Sequence, residues 1–356
     1  MIFALFLLNS LLLGLALINF ISIRKPSAIA ETDASVLLLI PVRNEEANIA
    51  RVLTELNNQK GVPNLHIVVI DDNSEDRTHE IAQTYVSERI SLVTAPEPQA
   101  GLIGKVNALQ AGLDSAQSAD VVISVDADVH FHADAIAHAV NTLNASGLDF
   151  ISPYPRQIAI TWPERLVQPL LQWSWMSTVL LRGAEKFPMK STVVCNGQFL
   201  VMKRSSLETI GGFTTVANKV LDDIELGRAF VHHGFRGAVI DGSSIASTRM
   251  YSSFDEIRAG YGKSLNSAFG SLAGSTVAAL FMVATGIAPF VLATSGNLLA
   301  IAASVAIIGT RIISAASSSG RLRDAFIHPV SAALFIYLLY FSWRNKGAIE
   351  WKGRTV

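Results

Sequence analysis

Two acids two positions apart, Asp126 and Asp128, close the apolar run VVISV in the stretch VVISVDADVHFHADAI (121–136). If the strand continues through them, alternation points both to the same side, where they repel unless a cation lies between them. A divalent ion with oxygen ligands, itself holding a diphosphate, meets that demand, and Mg2+ and Mn2+ suit it equally. A second acidic set, Asp222, Asp223 and Glu225 in VLDDIELGRAF (220–230), falls at the start of a helix. Acids there either cap the helix and interact favourably with its dipole or supply a general base for an attacking hydroxyl. The third set, DDNSED (71–76), has the composition of a turn that caps a helix. The adjacent His232 and His233 point different ways on a helix and suit a surface helix end better than a metal. The single cysteine, Cys195, excludes a disulfide framework or a structural zinc site within one chain and is expected to be a small buried residue.

The elements that must position these residues follow from periodicity. VLLLIP (36–41) is a short apolar run, and the helix after it places Ile49, Val52, Leu53 and Leu56 on one face. LHIVVID (65–71) is a second buried strand, followed by a helix over 78–86 and a third strand, ISLVTA; GKVNALQAGLDSA (104–116) is a helix and DVVISVDAD the next strand. Strands alternating with helices predict an α/β fold, a Rossmann-like, mostly parallel sheet flanked by helices. In such sheets ligands bind beyond the carboxyl ends of the strands. Arg43 to Glu45, Asp71 with Asp72, and Asp126 with Asp128 therefore share one rim.

Half of the residues are hydrophobic and only 16% are charged, which is too apolar for an ordinary soluble enzyme. The apolar excess lies at the two ends. Residues 1–23 form an uncharged run of membrane-spanning length, followed at once by Arg24 and Lys25. The run lacks the basic leader and small-residue cleavage site of a signal peptide. The basic flank places the following domain, 34–265, in the cytoplasm and the chain in the inner or plasma membrane as a multi-pass protein. Within 266–345 the candidate spans are 271–293, 297–316 and 330–343; the third is short and the second contains Arg311. Three full crossings would put the basic tail, 346–356, opposite the domain, whereas the positive-inside rule keeps it cytoplasmic, so one segment is expected to be re-entrant or interfacial. The stretch PERLVQPLLQWSWMSTVLLRGAEKFP, with Trp173 and Trp175, fits either a core helix or an interfacial helix with tryptophans at the boundary. A formal net charge of −1 without a basic arm argues against a nucleic-acid partner.

Taken in order, IPVRNEEANIARVL, VVIDDNSEDRT, GKVNAL, SVDAD, NGQFLVMKR with IGGF, and LDDIELGRAFVHHG resemble the family-2 inverting glycosyltransferases of the GT-A fold, over about 36–258. The apolar tail ending in WKGR looks like that of membrane-bound members acting on carotenoid, hopanoid or ceramide acceptors. The resemblance implies that Pro41, Arg43 and Glu45 line a nucleotide pocket, that Asp72 accepts a hydrogen bond from the base, and that Lys105 lies near the diphosphate. Lys105 is otherwise a solvent-exposed lysine at a helix start. Asp126 and Asp128 match the DxD pair, with Asp126 on the ribose and Asp128 on the metal, Mg2+ or Mn2+. Asn196 and Gly197 belong to a segment that contacts donor sugar or acceptor, and Asp223 takes the catalytic base. Asp222 stands where the family usually has glutamate. The QxxRW motif of processive synthases is missing from RMYSSFDEIRAGYGKSL (249–265); Arg258 remains as a possible diphosphate ligand, and Arg249 and Lys263 are basic groups that fit that role or a belt beside the membrane. The implied function is transfer of one sugar from a nucleotide-diphosphate sugar, UDP ahead of GDP, to a lipid acceptor such as a carotenoid or another isoprenoid, through a hydroxyl or a carboxyl group. A polyprenyl-phosphate sugar transferase and a non-catalytic sugar- or lipid-binding scaffold are the alternatives.

Overall fold

The computed structural model describes residues 1–98, 103–116, 118–346, 350–351 and 354–355. The chain forms two compact units, one of Arg24–Arg156 and Gly183–Thr248, the other of Met1–Ile23, Gln157–Arg182 and Arg249–Val356. Residues 157–182 and 249–265, read from sequence as part of the α/β domain, thus belong with the apolar helices.

The first unit contains strands β1 (Val36–Val42), β2 (Leu65–Asp71), β3 (Ile90–Thr94), β4 (Val121–Val125), β5 (Val129–Phe131), β6 (Phe150–Tyr154), β7 (Arg156–Gln157, at its edge), β8 (Phe199–Lys203), β9 (Gly237–Asp241) and β10 (Ala246–Thr248). Seven of them make one sheet in the order β3-β2-β1-β4-β8-β6-β9. β8 runs antiparallel to β4 and β6; the remaining pairs are parallel. Both faces are covered, which is why the strands are apolar throughout. Val36, Leu38, Ile40 and Val42 of β1 enter one core with Ile49, Val52, Leu53 and Leu56. Leu37 and Leu39 enter the other with Val106, Leu109 and Phe230. The period-2 pleat of one strand therefore feeds two layers.

Helices α1 (Ile2–Ser22), α2 (Ile49–Asn57), α3 (Thr78–Gln83), α4 (Gly104–Ser115), α5 (Ala135–Ser146), α6 (Trp162–Thr178), α7 (Leu181–Lys186), α8 (Arg204–Thr209) and α9 (Asp222–His232) precede the C-terminal set α10 (Phe254–Phe269), α11 (Leu272–Met282), α12 (Ala288–Ala293), α13 (Leu298–Ser317) and α14 (His328–Arg344). The helix expected over 78–86 stops at Gln83. α5 stops at Gly147, whose φ of 65° favours a residue without a Cβ.

In the second unit four helical stretches are long and apolar enough to cross a membrane: Ile2–Ser22, Leu272–Ala293, Leu298–Ser317 and Leu322–Arg344. The last corrects the short span read at 330–343. A 3-10 turn, Leu322–Ile327, extends α14 at its N-terminus to 23 residues, and its polar Asp324 is neutralised by two hydrogen bonds from Arg165. Trp173 and Trp175 are buried rather than placed at a boundary. Trp173 packs with Leu12, Leu170, Met282 and Ile307 and donates its indole N–H to Thr310 Oγ1 at 2.8 Å. Glu164, fully buried, accepts from the Arg249 guanidinium at 2.9 and 3.2 Å, from Ile160 N and from Thr161 Oγ1. Those bonds hold its carboxyl at about 2 although burial works the other way. Of the basic tail expected at 346–356, residues 347–349, 352, 353 and 356 lie outside the described residues.

Candidate active site

The site is assembled from loops that follow strands. After β1 and β2 the chain makes two turns in which Asn44 and Asn73 adopt φ of 52° and 54°, a region asparagine tolerates better than most residues. The two turns are laced together. Arg43 Nη1 donates to the carbonyls of Asp72 and Asn73 at 2.7 and 2.8 Å, and Nη2 pairs with Glu75 at 3.1 Å. Asn44 N donates to Ser74 Oγ, Glu75 N to Asn44 Oδ1, and Glu45 N to Thr78 Oγ1. Asp71 accepts from Ser74 N and lies 2.9 Å from His79 Nδ1, so it shapes the turn. Asp72 is almost fully buried beside it, and Pro41 is half-buried in β1. Arg43 is thus a brace for the loop that presents Asp72.

β4 ends at Val125, so Asp126 and Asp128 stand on the turn into β5 rather than on a strand. Strand alternation does not orient them; separate bonds do. Asp126 N donates to Gln198 O at 3.2 Å, and its Oδ1 accepts from Lys105 Nζ at 2.6 Å. Asp128 Oδ2 accepts from Thr248 Oγ1 at 3.0 Å, across the pairing of β10 with β5. Burial, then the charges of Asp126 and Glu45, push the Asp128 carboxyl up to about 6, against the Thr248 bond and the charge of Lys105.

Asp223 begins α9. Its Oδ2 accepts from Gly197 N and its Oδ1 from Ile224 N, both at 2.8 Å. Burial and the neighbouring Asp222 raise its carboxyl to about 6, while Lys105 and the two N–H donors favour the charged form. Lys105 is therefore no solvent lysine. Burial disfavours its charge, but Asp126, Asp222 and Asp223 hold it protonated far above the ordinary lysine range. Gly197 is in contact with both: a Cβ there would lie 3.3 Å from Asp223 Cβ and from Lys105 Nζ. Asn196 is locked by Ser152 Oγ, which accepts its N–H at 2.9 Å, and by two bonds with Gln198.

Of the residues singled out from sequence, Lys105 meets Asp126 and Gly197 meets Asp223, and charge links these pairs to each other and to Glu45, Asp128 and Asp222. Arg258 belongs to the other unit, where it pairs with Asp255 at 3.0 Å and lies over the Phe341 ring. Arg249 is held by Glu164 in that unit too. His232 and His233 end a surface helix, and Cys195 is buried against α9. Sequence reading missed Thr248, Ser152 and Gln198. A hydroxyl reaching a loop from the partner strand leaves no local spacing to find.

Among the described residues no group of three or more His, Cys, Asp or Glu is placed to hold a metal unaided. The donors fit a hard cation nonetheless. Asp128 and Asp126 offer carboxylate oxygens only, carry mutual repulsion that a divalent ion would relieve, and leave room in the ion's coordination for a diphosphate.

Residues 37–211 match the family model Glycosyl transferase family 2. The chain is 29% identical over 230 residues to the 4,4'-diaponeurosporenoate glycosyltransferase of Staphylococcus haemolyticus, covering 62% of this chain and 58% of that protein. It is 24% identical over 336 residues to the protein of the same name from Staphylococcus aureus, covering 89% and 87%. Among solved structures it resembles the mannosyltransferase PcManGT from Pyrobaculum calidifontis in complex with GDP-Man and Mn2+, at 19% identity and a TM-score of 0.53 over 96% of this chain and 97% of that one. That likeness concerns the fold. Sheet order and family match agree, and this chain belongs to glycosyl transferase family 2 as a glycosyltransferase of the GT-A fold.

Proposed function

We propose that this glycosyltransferase moves one sugar, with inversion, from a nucleoside-diphosphate sugar to the hydroxyl of an isoprenoid lipid of carotenoid type. The observation that carries the reading is two bonded pairs, Lys105 with Asp126 at 2.6 Å and Gly197 with Asp223 at 2.8 Å, linked by the charge of Lys105 on Asp223. Pro41, Arg43, Glu45 and Asp72 frame the nucleotide, a uracil base being preferred to guanine. Asp126 faces the ribose, and Asp128 would hold Mg2+ or Mn2+. When bound, the ion stabilises the negative charge that gathers on the leaving diphosphate. Lys105 adds a fixed positive charge beside the same oxygens. Asp223 takes the proton of the attacking hydroxyl as its oxygen bonds to the anomeric carbon and the bond to the diphosphate breaks. With its carboxyl raised to about 6, Asp223 is ionised at neutral pH and basic enough to take part. Asn196 and Gly197 border the sugar.

The lipid acceptor is supported by four helices of membrane-spanning length and by the names of the Staphylococcus relatives. Arg24 and Lys25 after α1 support a cytoplasmic site. A second reading draws on the same names: the relatives' acceptor is a carboxylate, which is already ionised and needs no base.

The test is nucleotide release by the detergent-solubilised protein with UDP- and GDP-sugars, Mg2+ or Mn2+, and isoprenoid alcohols or acids. Release that needs lipid and metal, and fails in Asp128→Asn, is the expected result. Release indifferent to lipid, metal and that substitution overturns the proposal. Retention of rate by Asp223→Asn with an acid acceptor selects the second reading.

A further inference from the structure

The segment that leaves the second unit and returns to the first carries an unusual surface. Phe187 and Met189 are 67% and 56% exposed, and Lys186 and Lys190 flank them, also exposed. Lys186 Nζ lies over the Phe187 ring at 5.4 Å. Two large apolar side chains between two lysines suit an interface that is apolar below and anionic above.

The stretch of chain before this segment is bonded to the end of α1. Asn19, in the last turn of that membrane-length helix, donates to the carbonyls of Met176 and Val179 at 2.9 and 2.6 Å and accepts from Leu181 N at 3.1 Å. Arg24, just past the helix, donates to Glu185 at 3.0 Å. The chain is thus bonded to the last turn of α1 at 176–181, and to Arg24 at Glu185. On its far side, Lys190 O accepts from Arg228 of α9 at 3.2 Å, and Val193 and Cys195 press on Gly227 of the same helix. α9 begins with Asp222 and Asp223.

We propose that residues 186–190 are a membrane-docking loop: Phe187 and Met189 enter the headgroup region of an anionic bilayer, and Lys186 and Lys190 pair with lipid phosphates. This deepens the lipid-acceptor reading and rests on it. The loop joins the bilayer surface to the helix that carries the base, so a lipid acceptor reaches Asp223 without leaving the membrane.

The chain's single cysteine makes the test direct. In a Cys195→Ala background, Met189→Cys and, as a control on the exposed turn after α3, Glu88→Cys are spin-labelled in the full-length protein in nanodiscs of phosphatidylcholine with and without phosphatidylglycerol. Label depth is read from relaxation by oxygen against a water-soluble nickel chelate. The label at 189 is expected to favour oxygen, more strongly with phosphatidylglycerol, and the label at 88 to favour the chelate. Equal accessibility at both sites overturns the proposal. Lys186→Glu with Lys190→Glu is expected to draw the label out and to raise KM for the lipid acceptor about tenfold, leaving acceptor-independent donor hydrolysis unchanged. A depth unmoved by that double reversal overturns the ionic part. Depth is measured without turnover, so an inserted loop in a protein that glycosylates no lipid would refute the acceptor and leave the docking intact.

Discussion

The two units meet their carboxylates in opposite ways, buried in one and half-buried in the other. Glu164, in the helical unit, has no exposed surface and is saturated: the Arg249 guanidinium, a backbone N–H and a hydroxyl bring its carboxyl to about 2. Asp324 is likewise met by Arg165. In the α/β unit, Asp126, Asp222 and Asp223 share the charge of Lys105, and Asp128 and Asp223 are pushed up to about 6. The first arrangement pairs each carboxylate with its own guanidinium; in the second, Lys105 is shared by three carboxylates while Asp128 and Asp223 stay raised. A fold that stores repulsion at one place while neutralising it elsewhere marks where a charged ligand belongs.

The sharpest way to break the comparison is Asp223→Asn. With a hydroxyl acceptor the rate should fall about 10²- to 10⁴-fold, while thermal stability holds or rises because repulsion with Asp222 is relieved. In the unsubstituted enzyme the rate should decline as pH drops through about 6, since protonation of a carboxyl raised above its ordinary value removes the base. That acid limb should vanish in the variant. A melting temperature lowered along with the rate would show Asp223 to be structural.

Thr248→Val sharpens it on the ligand side. The isosteric change removes the hydroxyl that accompanies Asp128 and should weaken Mn2+ binding about 10- to 100-fold, measured by titration against the ion's paramagnetic signal. Unchanged affinity would mean the bond does not orient the ligand. Glu164→Gln is the mirror experiment. It should cost about 1 to 3 kcal/mol of stability with donor affinity unaltered. The contribution of Glu164, a lowered carboxyl, is complete above the unfolded value of about 4.5 and is lost as pH falls through about 2. Stability indifferent to the substitution would erase the contrast between the units.

Local pattern carried the sheet well. The strands at 36–42 and 65–71, the helix over 49–57 and the acids near the end of β4 follow from periodicity and composition, because apolar runs buried on two faces leave little alternative. What depended on distant partners stayed hidden. The sequence DAD looks like strand continuation, yet the turn there is fixed by Gln198 and Thr248, which are remote in sequence. Tryptophans in an apolar helix resemble interfacial anchors until the Thr310 hydroxyl is found beside Trp173. Asp222 and Asp223 look equally like helix caps from their spacing, and the raised carboxyl of Asp223 beside Lys105 depends on partners distant in sequence. The change of unit near residue 157 is invisible because α6 has the composition of an ordinary core helix.

Asp223 is held by a main-chain donor, Gly197 N, and a Cβ at that position would lie 3.3 Å from Asp223 Cβ and from Lys105 Nζ. Side-chain replacement cannot abolish that donor unless the newcomer is proline, whereas any other side chain requires Asp223 and Lys105 to give by a few tenths of an ångström. Position 197 is accordingly constrained from two independent directions. Changes in the residues around this pivot would leave Asp223 and Lys105 in register.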